Sequence, residues 1–353
     1  AGKGTRMKSR HPKVLHRLAG RPLLDHVLAT TSALPAHRCW VITGHGADAV
    51  ESAIAGSGAQ PVRQMPQRGT GHAVQQVVPH LADVAEPGST TLILNGDVPL
   101  IAAGTAQALV DACGGTRLAL LTIVLPDATG YGRIVRAGGS ADGAVLGIVE
   151  HKDATPAQRQ IREVYTGMMA APTALLRRWV MALTDDNAQK EFYLTDIVAM
   201  AVAEGVPVVA SQAADETEVL GVNSPLQLAD LERRFQRRQA DALLEAGVRL
   251  ADPARFDLRG TLTAGQDVDI DVGCVFEGTV ALGDDVRIGA HCVLRDAVIG
   301  NGAVIHPFTH IEGARVGAGA LIGPYARLRP GADLADEVHI GNFVEVKNST
   351  LAK

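Results

Sequence analysis

The last third of the chain repeats an apolar position every six residues. Aliphatic side chains fall at Ile270, Leu282, Ile288, Leu294, Ile299, Ile305, Ile311, Val316, Ile322, Leu328, Leu334, Ile340 and Val346, with Phe276 the one aromatic among them. The step shortens to five between Leu294 and Ile299 and again between Ile311 and Val316, 17 residues on. Glycine follows the marker at Gly283, Gly289, Gly300, Gly317, Gly323 and Gly341. A six-residue period with one inward side chain per step predicts a hexapeptide β-solenoid. Three short strands make a triangular coil, small residues permit its tight corners, and stacked coils share one core. The two short steps trim the same corner of successive coils. A β-sandwich would instead alternate every second residue and turn at irregular intervals.

The preceding residues, 1 to about 223, carry a different pattern. Apolar strand-like runs stand at Cys39–Thr43, Thr91–Leu94, Leu118–Val124, Val145–Val149 and Val208–Ala210. Helical spacing occupies Leu23–Leu34, His72–Leu81, Thr105–Ala112 and Ala174–Ala182. This alternation predicts an α/β domain with a mostly parallel sheet covered by helices. Ser224, Pro225 and Gln227 then form a capping-box start for a helix, and Gly247 ends it. Leu228, Leu231 and Phe235 make its apolar face, with four arginines among the polar positions. The expected organisation is therefore an α/β domain over 1–223, a connecting helix over 224–247 and the solenoid over 248–353.

Composition narrows the function. The 353 residues are 20% charged with net charge -5, which argues against a general nucleic-acid binder but leaves room for a local phosphate pocket. The four cysteines are scattered without a metal-ligand pattern and read as free thiols of a reducing compartment, hence a cytoplasmic protein. No apolar run approaches the roughly 18 residues a membrane span needs. The chain opens on Ala1 rather than methionine, and a preceding segment is expected.

Several motifs place chemistry on the α/β part. Ala1-Gly2-Lys3-Gly4-Thr5-Arg6 is a glycine-rich turn with cations, able to cradle a phosphate or to be a loose terminus. Lys13 follows Pro12 on a short loop and reads as a fixed positive charge or a surface lysine. Gln64 precedes Gly69-Thr70-Gly71, where backbone and hydroxyl could hold a ligand and Gln64 could read a base edge; a helix start capped by Thr70 is the alternative. The strand Leu92–Leu94 runs into Asn95-Gly96-Asp97, which puts a carboxylate at the carboxyl end of a sheet. That position suits Mg²⁺ shared with substrate phosphates, or a turn cap. Glu150 ends another apolar run and could grip sugar hydroxyls. Asn223 closes the domain and could complete the metal site.

Taken together, these residues resemble the bacterial bifunctional N-acetylglucosamine-1-phosphate uridylyltransferase and glucosamine-1-phosphate acetyltransferase family over nearly the whole chain. The motifs are Gly-Lys-Gly-Thr-Arg-Met, Pro-Lys-Val-Leu, Gly-Thr-Gly-His-Ala, Gly-Asp-Val-Pro-Leu, Thr-Gly-Tyr-Gly-Arg-Ile, Ile-Val-Glu-His-Lys-Asp-Ala-Thr and Asp-Pro-Ala-Arg-Phe-Asp-Leu-Arg-Gly. The resemblance implies a Rossmann-like nucleotidyltransferase domain, a long helix and a left-handed parallel β-helix. It implies that Ala1, Gly2, Lys13, Gln64, Gly69, Thr70, Asn95, Gly96 and Asp97 hold UTP, with Arg6 and Lys13 on its phosphates. Asp97 and Asn223 would hold Mg²⁺. Gly132, Glu150, Tyr165 and Asn223 would contact the sugar of N-acetylglucosamine-1-phosphate, and the product would be UDP-N-acetylglucosamine. In the solenoid, Arg329 and Lys347 would bind the phosphate of glucosamine-1-phosphate, with acetyl-CoA as cosubstrate, in a homotrimer with neither nucleic acid nor membrane as a partner.

Three departures from the family pattern stand out. The family's first strand would lie before Ala1. Tyr165 in Tyr165-Thr166-Gly167 stands where the family has Asn. The family's catalytic histidine and most of its acetyl-CoA site would lie beyond Lys353, so acetyl transfer is not expected from these residues alone. The expected reaction is attack of the sugar-phosphate oxygen on the α-phosphorus of UTP with pyrophosphate leaving, driven by positioning and charge neutralisation. The rival readings are another sugar-1-phosphate nucleotidyltransferase with a β-helix tail and a non-catalytic assembly subunit of the same fold.

Overall fold

The computed structural model describes residues 2, 4–36, 38–82 and 86–352. Its contacts divide into two units: residues up to His16 with Pro22–Gln227, and Arg17–Arg21 with residues from Leu228 onward.

In the first unit, one six-stranded sheet runs Val208–Gln212, Leu118–Val124, Glu163–Pro172, Arg133–Arg136, Val145–Val149, with Thr90–Ile93 also paired to Glu163–Pro172. The sheet is mixed rather than mostly parallel, a correction to the expectation. Its axis is Glu163–Pro172, antiparallel to Thr90–Ile93, Leu118–Val124 and Arg133–Arg136. Only Val208–Gln212 pairs parallel, with Leu118–Val124. A parallel neighbour needs a crossover of about a dozen residues or more. Arg133–Arg136 and Val145–Val149 are linked too closely for that and form an antiparallel pair. A separate parallel pair, Trp40–Thr43 with Gln60–Arg63, brackets the helix Ala47–Ile54.

Helices cover the sheet with one apolar stripe each. Leu23–Ser32 buries Leu23, Leu24, Val27 and Leu28; Thr173–Met181 buries Leu176, Trp179 and Val180. The expected helix over His72–Leu81 is two, Thr70–Gln75 and Val78–Leu81. Pro79 explains the break, because it has no N–H to continue the ladder.

The helix Pro225–Glu245 begins with half of the expected capping box: Gln227 N donates to Ser224 Oγ at 3.2 Å, but Gln227 Oε1 accepts from Asn223 N at 2.8 Å, one residue before the cap. Its arginines pair within the chain, Arg234 with Asp230, Arg237 with Asp241 and Arg233 with Asp257.

The second unit is a parallel β-helix. One column of in-register side chains is Ile270, Ile288, Ile305, Ile322 and Ile340. A second is Phe276, Leu294, Ile311, Leu328 and Val346, and a third is Leu282, Ile299, Val316, Leu334 and Leu351. All except the half-buried Leu351 are enclosed in one continuous core. The five-residue steps do trim one corner. Glu277 pairs with Arg295 and Val280 with Ala297, so two residues turn on one coil where one turns on the next. Gly300 and Gly317 sit where a Cβ would fall 2.6 Å from Ala318 N and 2.4 Å from the Ala335 carbonyl carbon of the following coil. Arg17–Arg21 joins this unit: Ala19 N donates to Glu232 Oε2 at 2.7 Å, although the sequence places that hairpin within the α/β part. Among the described residues no helix is long and apolar enough to cross a membrane.

Candidate active site

Strand ends of the first unit deliver the polar residues. Asp97 lies just past Thr90–Ile93, Glu150 directly follows Val145–Val149, Gln64 directly follows Gln60–Arg63, and Gly132 directly precedes Arg133–Arg136. They fall into three neighbouring groups.

The first group is built on Lys13. Its ammonium donates to Asp97 Oδ2 and, at 2.9 Å, to Asn223 Oδ1. These partners are 84 and 210 residues away in sequence. Val222 N donates to Asp97 O at 2.9 Å, which holds Asp97 beside Asn223. Gly4, at φ 57°, packs the glycine-rich turn on the stem of Lys13: a Cβ there would lie 3.0 Å from Lys13 Cβ. Gly96 packs against Val14 on the same turn. Arg6 is exposed and, among the described residues, has no ion-pair partner. Gly2 is exposed with open space around it; Ala1 lies outside the described residues.

The second group surrounds Gln64, which is 2% exposed. Its Nε2 donates to Gly69 O at 2.9 Å and lies 3.1 Å from His72 Nδ1. Gly69 has φ 102°, and a Cβ there would lie 2.6 Å from Phe192 O. Thr70 does not cap its helix; its hydroxyl accepts from Leu194 N at 3.1 Å.

The third group is Gly132, Glu150 and Tyr165. Tyr165 N donates to Gly132 O at 2.9 Å, and Gly132 lacks a Cβ that would lie 3.7 Å from the Glu150 carboxylate. Burial pushes the Glu150 carboxyl up; a hydrogen bond from Thr195 opposes this, and the negative charges of Asp196 and Asp153 add to it. Tyr165 is buried in the apolar core with its hydroxyl unpartnered, and burial, with Glu150 nearby, raises its phenol well above the ordinary value. The first and third groups meet at Asn95, whose Nδ2 donates to Thr166 O at 3.4 Å and packs against Gly167.

Comparison with known proteins resolves what this arrangement belongs to. The profile of the MobA-like NTP transferase domain matches residues 1–250, and that of the GMPPB C-terminal domain matches residues 258–352. The bifunctional protein GlmU of Methylibium petroleiphilum is 73% identical over all of this chain and 77% of its own length. That of Paracidovorax citrulli is 63% identical over 77% of its length, and that of Paraburkholderia phytofirmans 58% over 76%. The chain belongs to the GlmU family.

One segment of this GlmU-family site was not anticipated from sequence. Residues 191–195 tie the second group to the third. Phe192 N donates to Arg68 O at 2.8 Å and Gly71 N to Phe192 O at 2.7 Å, while Thr195 Oγ1 donates to Glu150 Oε1 at 3.0 Å. Thr195 precedes the helix Asp196–Ala203 and reads as its cap, yet makes no cap bond, because its hydroxyl goes to Glu150. His72 is a further omission; its position one residue after the Gly-Thr-Gly run was the available signal.

In the second unit, register sets Arg259, Glu277, Arg295 and Glu312 in an alternating charge ladder. Arg259 pairs with Glu277 at 2.8 Å and Arg295 with Glu312 at 3.7 Å. The pairs Ile311 with Leu328 and Leu328 with Val346 end this run, and the residues next in sequence are Glu312, Arg329 and Lys347, an order in which alternation fails. Arg329 pairs at 3.1 Å with Glu345, a carboxylate it shares with Arg327, while Lys347 is exposed and without an ion pair among the described residues.

Proposed function

We propose that this chain transfers UMP from UTP to N-acetylglucosamine-1-phosphate, releasing pyrophosphate and forming UDP-N-acetylglucosamine. The observation that carries the reading is the convergence of Lys13, Asp97 and Asn223 from three distant parts of the sequence on one point. The hard oxygens of a carboxylate and an amide that already share one cation fit Mg²⁺, which prefers few protein ligands alongside substrate phosphates. When bound, Mg²⁺ supplies charge neutralisation at the reacting phosphates. Lys13 and Arg6 present fixed positive charge to the same phosphates, and the turn at Gly4 brings backbone amides close. The sugar-phosphate oxygen is already a nucleophile, so no general base is required. Its bond to the α-phosphorus forms as the bond to pyrophosphate breaks. Gln64, Gly69 and Thr70 receive the uridine; Gly132 and Glu150 receive the sugar, while Tyr165, whose hydroxyl is sealed in the core, packs behind them.

In the second unit, the break in the charge ladder supports Arg329 and Lys347 as a phosphate site for glucosamine-1-phosphate in acetyl transfer from acetyl-CoA. Adjacent like charges are unfavourable until an anion lies between them. Assembly as a homotrimer belongs to this reading. The experiment is pyrophosphate release with N-acetylglucosamine-1-phosphate and UTP, ATP or GTP in competition, with and without Mg²⁺. Magnesium-dependent release confined to UTP is expected; preference for a purine nucleotide would overturn the reading.

A further inference from the structure

We infer that His72 is a positioning residue for base selection: its Nδ1 takes the second hydrogen of the Gln64 amide, so Gln64 offers a pyrimidine only its oxygen and selects uracil over cytosine. The inference rests on the proposed reading that Gln64 faces the base.

A carboxamide nitrogen carries two hydrogens. One points to Gly69 O at 2.9 Å, a carbonyl that only the nitrogen end of the amide can face. The other points to His72 Nδ1 at 3.1 Å. Both hydrogens are then committed. Gln64 Oε1 accepts from no described residue, and it is not one of the sealed, unpartnered polar atoms of the structure. An acceptor placed there matches the N3–H of uracil and repels the bare N3 of cytosine.

The imidazole must be neutral with Nδ1 bare for this to hold. Its other nitrogen lies 3.2 Å from Gln76 Nε2, and a neutral ring accepts at one nitrogen only. Gln76 is half-buried and already donates to the His72 main-chain oxygen at 3.0 Å, so water can satisfy its remaining hydrogen. Gln64 is enclosed and has no such alternative, so leaving its hydrogen unpaired is the costlier choice. Nδ1 is therefore the acceptor. Among the described residues the charge acting on the ring is Arg68, which stacks over Phe192 at 4.8 Å and pairs with Asp185 at 2.9 Å. The other groups packed on the ring, Phe192, Gln76 and the Pro66 main chain, carry no charge. Burial first, then Arg68, pushes the imidazolium down from its ordinary value and outweighs a hydrogen bond with the Pro66 main chain that acts the other way, which keeps the ring neutral at neutral pH.

The test measures kcat/KM for UTP and for CTP by pyrophosphate release in the full-length protein. The variants are Gln64→Leu, His72→Leu and His72→Asn, the last retaining an acceptor near the Nδ1 position. The UTP-to-CTP ratio should fall about tenfold or more in Gln64→Leu and His72→Leu, the scale of losing one oriented hydrogen bond beside a buried polar group. His72→Asn should hold the ratio near the starting value. In the unaltered protein the ratio should be flat at neutral pH and fall only below 6.5, the ordinary value of the imidazole, as Nδ1 gains a proton and stops accepting. If Gln64→Leu leaves the ratio unchanged, Gln64 does not read the base and both statements fail. If Gln64→Leu collapses the ratio while the His72 variants and the pH profile do not move it, the role of His72 alone is overturned. Should His72→Leu fail to fold, His72→Asn and the pH profile decide the question.

Discussion

Replacing Asp97 by Asn keeps the shape of the side chain and removes its charge. In the structure Asp97 and Asn223 share the Lys13 ammonium, and the Lys13 and Asp97 side chains are 17% and 23% exposed. Two unit charges about 4 Å apart in a medium of effective dielectric ~20 interact by about 4 kcal/mol. Under the proposed reading Asp97 exerts an attraction of that size on a cation at the reacting phosphates; at ~1.36 kcal/mol per tenfold in rate, losing it in the transition state is about a thousandfold. The remaining exposure screens part of it, so a fall of about a hundred- to a thousandfold in kcat is expected. Stability should change little, because an Asn oxygen still accepts from Lys13 and the ammonium is not stranded. The assay is pyrophosphate release across a Mg²⁺ titration, beside a thermal melt of each protein. Turnover within about threefold of the parent at saturating Mg²⁺ would refute the assignment of Asp97. A collapsed melt would instead assign it a structural role.

Gly69→Ala puts a Cβ 2.6 Å from Phe192 O at φ 102°, so it should raise KM for UTP and destabilise the fold by about 1–3 kcal/mol, the scale of such strain, lowering the melting temperature; steady-state kinetics with a melt check both. Glu150 carries a carboxyl raised by burial, so its folded form holds a proton to higher pH than its unfolded form. The fold therefore loses stability as pH rises from the ordinary value of 4.5 through the raised one. Glu150→Gln should raise the melting temperature at neutral pH, lose that advantage in acid, and remove an acid limb in kcat/KM for the sugar phosphate; a gain independent of pH would contradict the account. Tyr165→Phe deletes a sealed hydroxyl with no partner, whose enclosure costs about 1–3 kcal/mol. The melt should rise with KM for the sugar phosphate unchanged, because a sealed hydroxyl reaches no substrate; a raised KM would overturn this and put the hydroxyl in the sugar site.

The β-helix was legible because its rule is local. Each coil repeats the same inward position, so a period of six and its two five-residue exceptions project directly onto columns and a trimmed corner. The α/β part was legible only where apolar residues run unbroken. Leu118–Val124 is buried at six successive positions and stood out as a run. Glu163–Pro172 is the axis of the sheet, but Thr166 and Gly167 interrupt its apolar character, and burial on both faces leaves no alternation to read. Missing that strand made the sheet look parallel. A small number of antiparallel pairings through one strand reverses the topology without changing the apparent order of strands and helices.

The site divides along the same line. Lys13, Asp97 and Asn223 announce themselves singly, as a cation after a proline, a carboxylate after a strand and an amide at a domain's end; what sequence does not contain is that they meet. Residues 191–195 are the opposite case. Phe192 and Thr195 look like ordinary helix-approach residues, and their meaning lies wholly in partners far along the chain, Gly69 and Gly71 on one side and Glu150 on the other. Under the proposed assignment, a segment bonded at once to the loop that receives uridine and to the carboxylate that receives the sugar cannot shift for one substrate without disturbing the seat of the other. Phosphoryl transfer needs both reactants held in line before any bond changes, and the span of five residues through Phe192 and Thr195 supplies a covalent link between the two seats.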